Sequence, residues 1–298
     1  MTGLDRTVYG WRLPTIQGGP LAIAMAEVGA PLLDAVAGAD RVVLVPDAHY
    51  PYHPSTGMVT KPRVVAALVS ELASHRPDAS VTVALRSRPG IETTRTATYL
   101  GYDAMDATQD LAVTSLDEAP TRRIDAAGAS RAVPTPLLDG AVVPVPSARV
   151  GGSAPVVGSL AVLTAAAGLD QGDDRAVRAV HDAVSPAGAF LDAIHAFAGD
   201  PHRARAVFAG RDVTAVDRVL ARLLGVDHAT VPGLAAGGDA PAGGHFSVEG
   251  VDVAALAAEL PGGDLPATDA AHPLVRAAYR VYAGVSGDVL PPQLRSQR

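Results

Sequence analysis

Arg41-Val-Val-Leu-Val-Pro-Asp47 is the stretch that most restricts what this chain can fold into. Val42 to Val45 form an unbroken apolar run, mostly β-branched, without the polar alternation of a strand that has one wet face. Such a run requires a strand covered on both sides, as in a parallel sheet between helices. Pro46 then opens a polar loop carrying Asp47, His49, Tyr50, Tyr52, His53, Ser55 and Thr56, with Pro51 and Pro54 restricting its backbone. Thr60-Lys-Pro62 closes the loop, and Arg63 to Leu72 has helical spacing behind a proline suited to a first turn. Strand, side-chain-rich loop and helix are how an open α/β sheet presents a site at the carboxyl ends of its strands.

The rest of the chain extends this pattern. A short strand is expected at Tyr9–Leu13, a helix over Pro20–Ala37, a second buried strand at Ser80–Leu85 and a helix over Thr93–Tyr102. Two strand–loop–helix units in succession predict an α/β fold with a mostly parallel sheet flanked by helices. The middle is less regular. Leu111–Leu116 and Arg122–Asp125 are expected as short strands, a small antiparallel excursion within a subdomain at about 103–140. Gly140–Val145 reads as a further apolar strand, Pro155–Gly168 and Asp173–Val184 as helices, and Arg205–Ala209 as a strand leading to the helix Thr214–Leu224. Phe190–Phe197 fits strand or helix, because periodicity does not separate the two in so short an apolar run. Thr214 and Asp217 resemble a capping box with the shorter acid. Residues 234–244 are expected as a flexible Gly-rich loop, followed by an edge strand at Phe246–Val251, a helix at Asp252–Leu260 and a last helix at Asp269–Gly284. The expected organisation is one α/β domain over 1–298.

Composition removes several function classes. The formal charge is −7 with no basic run, which disfavours nucleic acid or an anionic membrane as partner. With no cysteine, the chain holds no disulfide, no thiolate metal site and no cysteine-ligated iron–sulfur cluster. No Gly-x-Gly-x-x-Gly or Walker pattern occurs, so standard dinucleotide or ATP binding is not expected. No apolar stretch is long enough to span a bilayer and no signal-peptide pattern opens the sequence, so the expected location is cytoplasmic. A homo-oligomer is compatible with all of this.

The candidate chemistry lies at the strand ends. They carry Asp47 and His49, then Arg86 and Arg88, then Ser147 and Arg149, and finally Arg211 and Asp212. If these strands share one parallel sheet, all eight residues line one rim, and the arginines make an anion-binding floor. His49 and His53 are the proton-transfer candidates, since histidine titrates near neutrality, with Asp47 as orienting acid and Tyr52 alongside. Tyr50 and Tyr99 would help to shape the pocket. Asp47-x-His49-x-x-x-His53 could also wrap a divalent metal, with a further ligand from His195 or His245, although a polar loop is the commoner meaning of such spacing. Asp192 and His195, three apart, are expected as a satisfied structural pair.

These stretches resemble the uncharacterised family known as domain of unknown function 362. The likeness rests on Val42 to Asp47 with Thr60-Lys-Pro-Arg-Val-Val65, on Tyr99-Leu-Gly-Tyr102 through Leu116-Asp117-Glu118, on Val142-Val-Pro-Val-Pro146, and on Phe208-Ala-Gly-Arg-Asp212 with Ala215-Val-Asp217 and Ala221-Arg-Leu-Leu-Gly225. It implies the α/β fold and carries Asp212 and Asp217 as family-type polar positions. This chain departs from the family's pattern in having Val45-Pro46-Asp47 in place of Lys-Pro-Asn and Pro146-Ser147-Ala148 in place of Lys-Thr-His. A ferredoxin-like extension of the kind many relatives append is not expected here, since the sequence has no cysteine to ligate a cluster. The expected function is acid–base chemistry on a small anionic metabolite, of isomerase, lyase or cyclisation type, with a divalent metal as an option and a metal-dependent hydrolase less favoured. The alternative is a non-catalytic ligand- or metal-binding protein of the same fold.

Overall fold

The computed structural model describes residues 6–14, 19–109, 111–126, 129–234 and 246–261. Its first half runs β1 (Thr7–Arg12), α1 (Gly19–Ala35), β2 (Arg41–Pro46), α2 (Pro62–His75), β3 (Ser80–Leu85), α3 (Thr93–Leu100), α4 (Tyr102–Gln109) and β4 (Ala112–Ser115). Next come β5 (Thr121–Ala126), β6 (Ala129–Pro134), β7 (Ala141–Val145), β8 (Ser147–Arg149), α5 (Ser159–Ala166) and α6 (Asp174–Val184). The last described elements are β9 (Ala189–Phe197), β10 (Pro201–His202), β11 (Ala206–Gly210), α7 (Val213–Leu223), β12 (Ser247–Glu249) and α8 (Val253–Ala258). The fold is α/β. The expected flexible loop at 234–244 and the helix at 269–284 fall almost wholly outside the described residues.

Three sheets result. One is four-stranded and parallel throughout, in the order β4-β3-β2-β7. A mixed sheet runs β10-β9-β11-β1-β12, with β8 added parallel to β9. The third is the antiparallel hairpin β5–β6. The antiparallel excursion is therefore the hairpin alone, and Ala112–Ser115 instead extends the parallel sheet beside β3.

The apolar run Val42–Val45 behaves as its composition demands. Val42 and Leu44 face the core beneath α1 and α2, whereas Val43 and Val45 face the core beneath α5 and α6. All four are essentially without solvent contact. At about 1.5–3 kcal/mol per fully buried side chain, this strand is a main source of cohesion for both layers. β9 resolves the helix-or-strand ambiguity in the same way. All nine of its residues are buried, Phe190 and Ile194 pointing to one layer and Leu191 and Ala193 to the other.

The two large sheets meet along one piece of chain. Residues 141–145 pair with β2, and after Pro146 residues 147–149 pair with β9. The Pro146 carbonyl accepts from Asp192 N at 2.9 Å and that of Val142 from Ala187 N at 2.9 Å, so β7–β8 stitches both sheets. A second consequence concerns the site. From β2 the chain moves to β3 and β4 on one flank, then returns to β7 on the other. The order reverses between β2 and β7, and the crevice beyond their carboxyl ends is where an open α/β sheet gathers ligand-binding groups.

Candidate functional site

Asp47 emerges from β2 into that crevice and Arg149 arrives at the end of β8. Their side chains meet, Arg149 Nε donating to Asp47 Oδ2 at 2.7 Å, with both residues more than nine-tenths buried. The other carboxylate oxygen, Oδ1, lies 2.7 Å from His49 Nδ1. Arg149 Nη2 also stands 3.3 Å from the same ring nitrogen. A nitrogen bearing a lone pair would repel the carboxylate at 2.7 Å, so Nδ1 carries the proton and donates to Asp47. The lone pair is then on Nε2. That atom is enclosed and has no hydrogen-bond partner among the described residues.

The loop backbone is fixed from beneath. Thr60 Oγ1 accepts from Asp47 N at 2.9 Å and donates to the Val145 carbonyl at 2.5 Å, tying the loop to the ends of β2 and β7. Ser147 Oγ donates to the Gly57 carbonyl at 2.6 Å. Gly57 has φ +75°, and a Cβ there would lie 2.8 Å from the Ala196 carbonyl carbon, so both conformation and space require glycine.

The charges follow from these contacts. Burial would push the Asp47 carboxyl up, but Arg149 and His49 together hold it well below the usual carboxylate range. Burial and the Arg149 guanidinium press His49 down to about 4 against the pull of Asp47. At neutral pH the imidazole is therefore uncharged, with one nitrogen committed and one lone pair left over. That is the form a general base takes.

His49 also borders a cleft of 490 Å³, together with Arg86, Ser87, Arg88, Asp117, Asp170 and Gln171. A larger hollow of 740 Å³ lies at the opposite, amino-terminal ends of the strands near Arg41, Arg76, Ser80 and Ala112. It contains neither the Asp47–Arg149 dyad nor His49, and its Arg76 is occupied with the carbonyls of Val36 and Ala39.

The remaining expected residues divide. Arg86 reaches the cleft, but its Nε pairs with Asp117 at 2.9 Å and its Nη1 donates to the Ala166 carbonyl at 3.0 Å. Arg88 is exposed at the mouth, its backbone N donating to the His49 carbonyl at 2.9 Å. Tyr50 and Tyr52 pack with ring centroids 4.6 Å apart, and Tyr52 sits 5.8 Å from the His49 ring. His53 is exposed and caps the short turn Pro54–Thr56, its Nδ1 accepting from Ser55 N. Tyr99 is 53% exposed on α3 and does not border the cleft.

Arg211 and Asp212 do not reach this rim. They follow β11, which runs antiparallel to β9 in the mixed sheet, so the expectation that this strand shares the parallel sheet is corrected. Asp212 is the N-cap of α7, accepting from Thr214 N and Ala215 N, and pairs with Arg6. The cap thus lies two residues before the expected Thr214. Asp217 reaches across to the start of α5, accepting from Ser159 N at 2.6 Å and Leu160 N at 3.0 Å.

Asp192 and His195 are not partners either. Asp192 accepts from Lys61 N at 2.9 Å, Ile194 N at 3.0 Å and Lys61 Nζ at 3.5 Å. The Lys61–Asp192 pair and the supporting role of Thr60 had no local signal, since their partners lie 131 and 85 residues away. The residues considered for a metal do not fit one as arranged. Both Asp47 oxygens are engaged, His53 Nδ1 is a cap, and among the described residues no group of three or more His, Asp or Glu side chains converges. His245 lies outside the described residues.

Among the described residues no helix is long and apolar enough to cross a membrane. A family model described as "Domain of unknown function (DUF362)" matches residues 42–222, more than half the chain. No curated protein and no solved structure matches it.

Proposed function

We propose that this chain, which belongs to the DUF362 family and takes no activity from that description, is a small-molecule enzyme working by acid–base chemistry. His49 is the proton-transfer group and Asp47 its orienting acid. The observation that carries the reading is the neutral, tautomer-fixed imidazole of His49, its Nε2 lone pair unclaimed, at the point where the strand order reverses and beside a 490 Å³ cleft. Arg149 belongs to the dyad in this reading and not to the substrate, because its Nε is spent on Asp47. Arg88 at the mouth supplies positive charge for an anionic metabolite. Proton abstraction and return at a carbon or heteroatom need no more than this, which favours an isomerase, lyase or cyclisation reaction. The net charge of −7 supports a small-molecule partner over nucleic acid, and a cytoplasmic location belongs to the same proposal.

One observation favours a second reading, a non-catalytic ligand-binding protein. His49 Nε2 is enclosed, so a substrate reaches it only if the wall around it moves. Thermal-shift and NMR screening of the full chain against small carboxylates and phosphate esters tests both readings. Under the first, His49→Gln and Arg88→Ala abolish or weaken the ligand-induced shifts, Arg211→Ala does not, and the ligand found is turned over by the unmodified protein only. A ligand bound through the cleft but never converted favours the second reading. Ligand shifts that survive both His49→Gln and Arg88→Ala remove the site.

A further inference from the structure

A second buried polar cluster rests against the same loop. His195, on β9, is only 6% exposed, yet its Nδ1 has no hydrogen-bond partner among the described residues. Its expected partner Asp192 is committed to Lys61 and to the Ile194 amide. A native protein rarely buries a ring nitrogen unpaired unless something absent from the free chain, a water or a ligand, completes it.

The surrounding charge indicates what kind of ligand. Lys61 and Arg63 act on the ring from the start of α2 and Arg203 from the turn after β10, together with the carboxylate of Asp192, which pairs with Lys61. The pairing of Phe197 with Pro201 and of Ala196 with His202 places Arg203 across from His195, one step beyond the last pair. Among the described residues Lys61 is paired with Asp192, and Arg203 adds a further positive charge beside the imidazole. Burial and these cations hold His195 down to about 4, so the ring is neutral in the free protein. An enclosed Nδ1 without a partner, beside fixed positive charge, is placed to carry the ring proton and donate it once an acceptor enters.

We propose that His195, Lys61 and Arg203 form an oxyanion-binding subsite for a phosphate or carboxylate group, with His195 Nδ1–H donating to it and Arg63 adding to the charge. Three separate segments build it: the end of β9, the first turn of α2 and the β10–β11 connection. It makes no use of His49 or the 490 Å³ cleft, so it stands or falls separately from the proposed reaction.

Sulfate is the first probe, because it does not titrate near neutrality and the response then belongs to the protein. The histidine ring signals of the full chain are followed by NMR as sulfate is added at constant ionic strength in chloride, with His195→Gln assigning the resonance. The expected result is a saturable shift of the His195 signal with a rise in its pKa, while the exposed His53 and His75 signals stay put. Arg203 is exposed, so Arg203→Ala should fold normally and weaken sulfate by about tenfold or more, the usual loss for one charge-assisted hydrogen bond. Inorganic phosphate and malonate are then compared, and the tighter identifies phosphate or carboxylate as the natural group. No saturable shift at His195, or unchanged sulfate affinity in Arg203→Ala, overturns the proposal.

Discussion

Replacing Arg149 with methionine should be among the most damaging single changes to this protein, and the structure says why. The guanidinium is 3% exposed and, among the described residues, is the one arginine or lysine paired with Asp47. Methionine fills most of the volume but leaves a carboxylate buried beside a neutral imidazole. Removing one member of a buried ion pair typically destabilises by about 3–5 kcal/mol, because the other charge stays desolvated and uncompensated. The comparison is Arg122→Ala. Arg122 Nη1 holds Asp139 at 3.0 Å, but both side chains are about half exposed, so solvent screening limits the loss to about 0–1 kcal/mol. Urea unfolding at neutral pH measures both. A second readout separates electrostatics from packing. Arg149 is one of the influences that lower His49, so in Arg149→Met the His49 pKa should rise from about 4. A loss under about 1 kcal/mol combined with an unmoved His49 titration would refute the assignment of Arg149 to the dyad.

Three further outcomes follow from the same contacts. Asp217 is pushed up by burial to about 6 from 3.8, so its contribution to stability is full below the unfolded value and is lost as pH rises through 6, about 3 kcal/mol in all. Asp217→Asn removes that loss, and urea midpoints measured between about pH 4 and pH 7 should move in the variant's favour as pH rises. His49 has the opposite sign. Held at about 4 against 6.5 when unfolded, it makes stability rise with pH across that window, so His49→Gln should flatten the rise seen in Asp217→Asn, as followed by the same measurement. Gly158→Ala places a methyl 2.5 Å from the Asp217 carboxyl carbon, and thermal unfolding should report a loss of about 1–3 kcal/mol from the forced displacement.

What the sequence disclosed depended on the range of the signal. β2, β3 and α2 were legible because burial on both faces and a proline-started amphipathic turn are written in consecutive residues. Pro155–Gly168 was expected as one helix, but Val156 bridges to Val150 and the helix opens only after Gly158, a tertiary pairing with no local mark. β6 was missed because Ala129-Ser-Arg-Ala-Val-Pro134 is mostly polar or small, and over 130–134 only Val133 and Pro134 are buried. In the site, Asp47 and His49 were found as neighbours on one loop. Arg149, their third member, stood out only as an arginine near a strand end, since its partner is 102 residues earlier. The misplacement of Arg211 and Asp212 had one source. A strand's sequence gives its burial but not the direction in which it enters a sheet, and β11 enters antiparallel.

The nine residues from Ala141 to Arg149 belong to two sheets at once, with Pro146 as the join. Nicking the chain there, or opening it for circular permutation, would detach Arg149 from Asp47 in the same stroke that frees the two layers from each other. The dyad is thereby a gauge of assembly: it closes only when both halves have seated against that shared segment. A partially assembled chain would hold the histidine without the geometry that makes it a base.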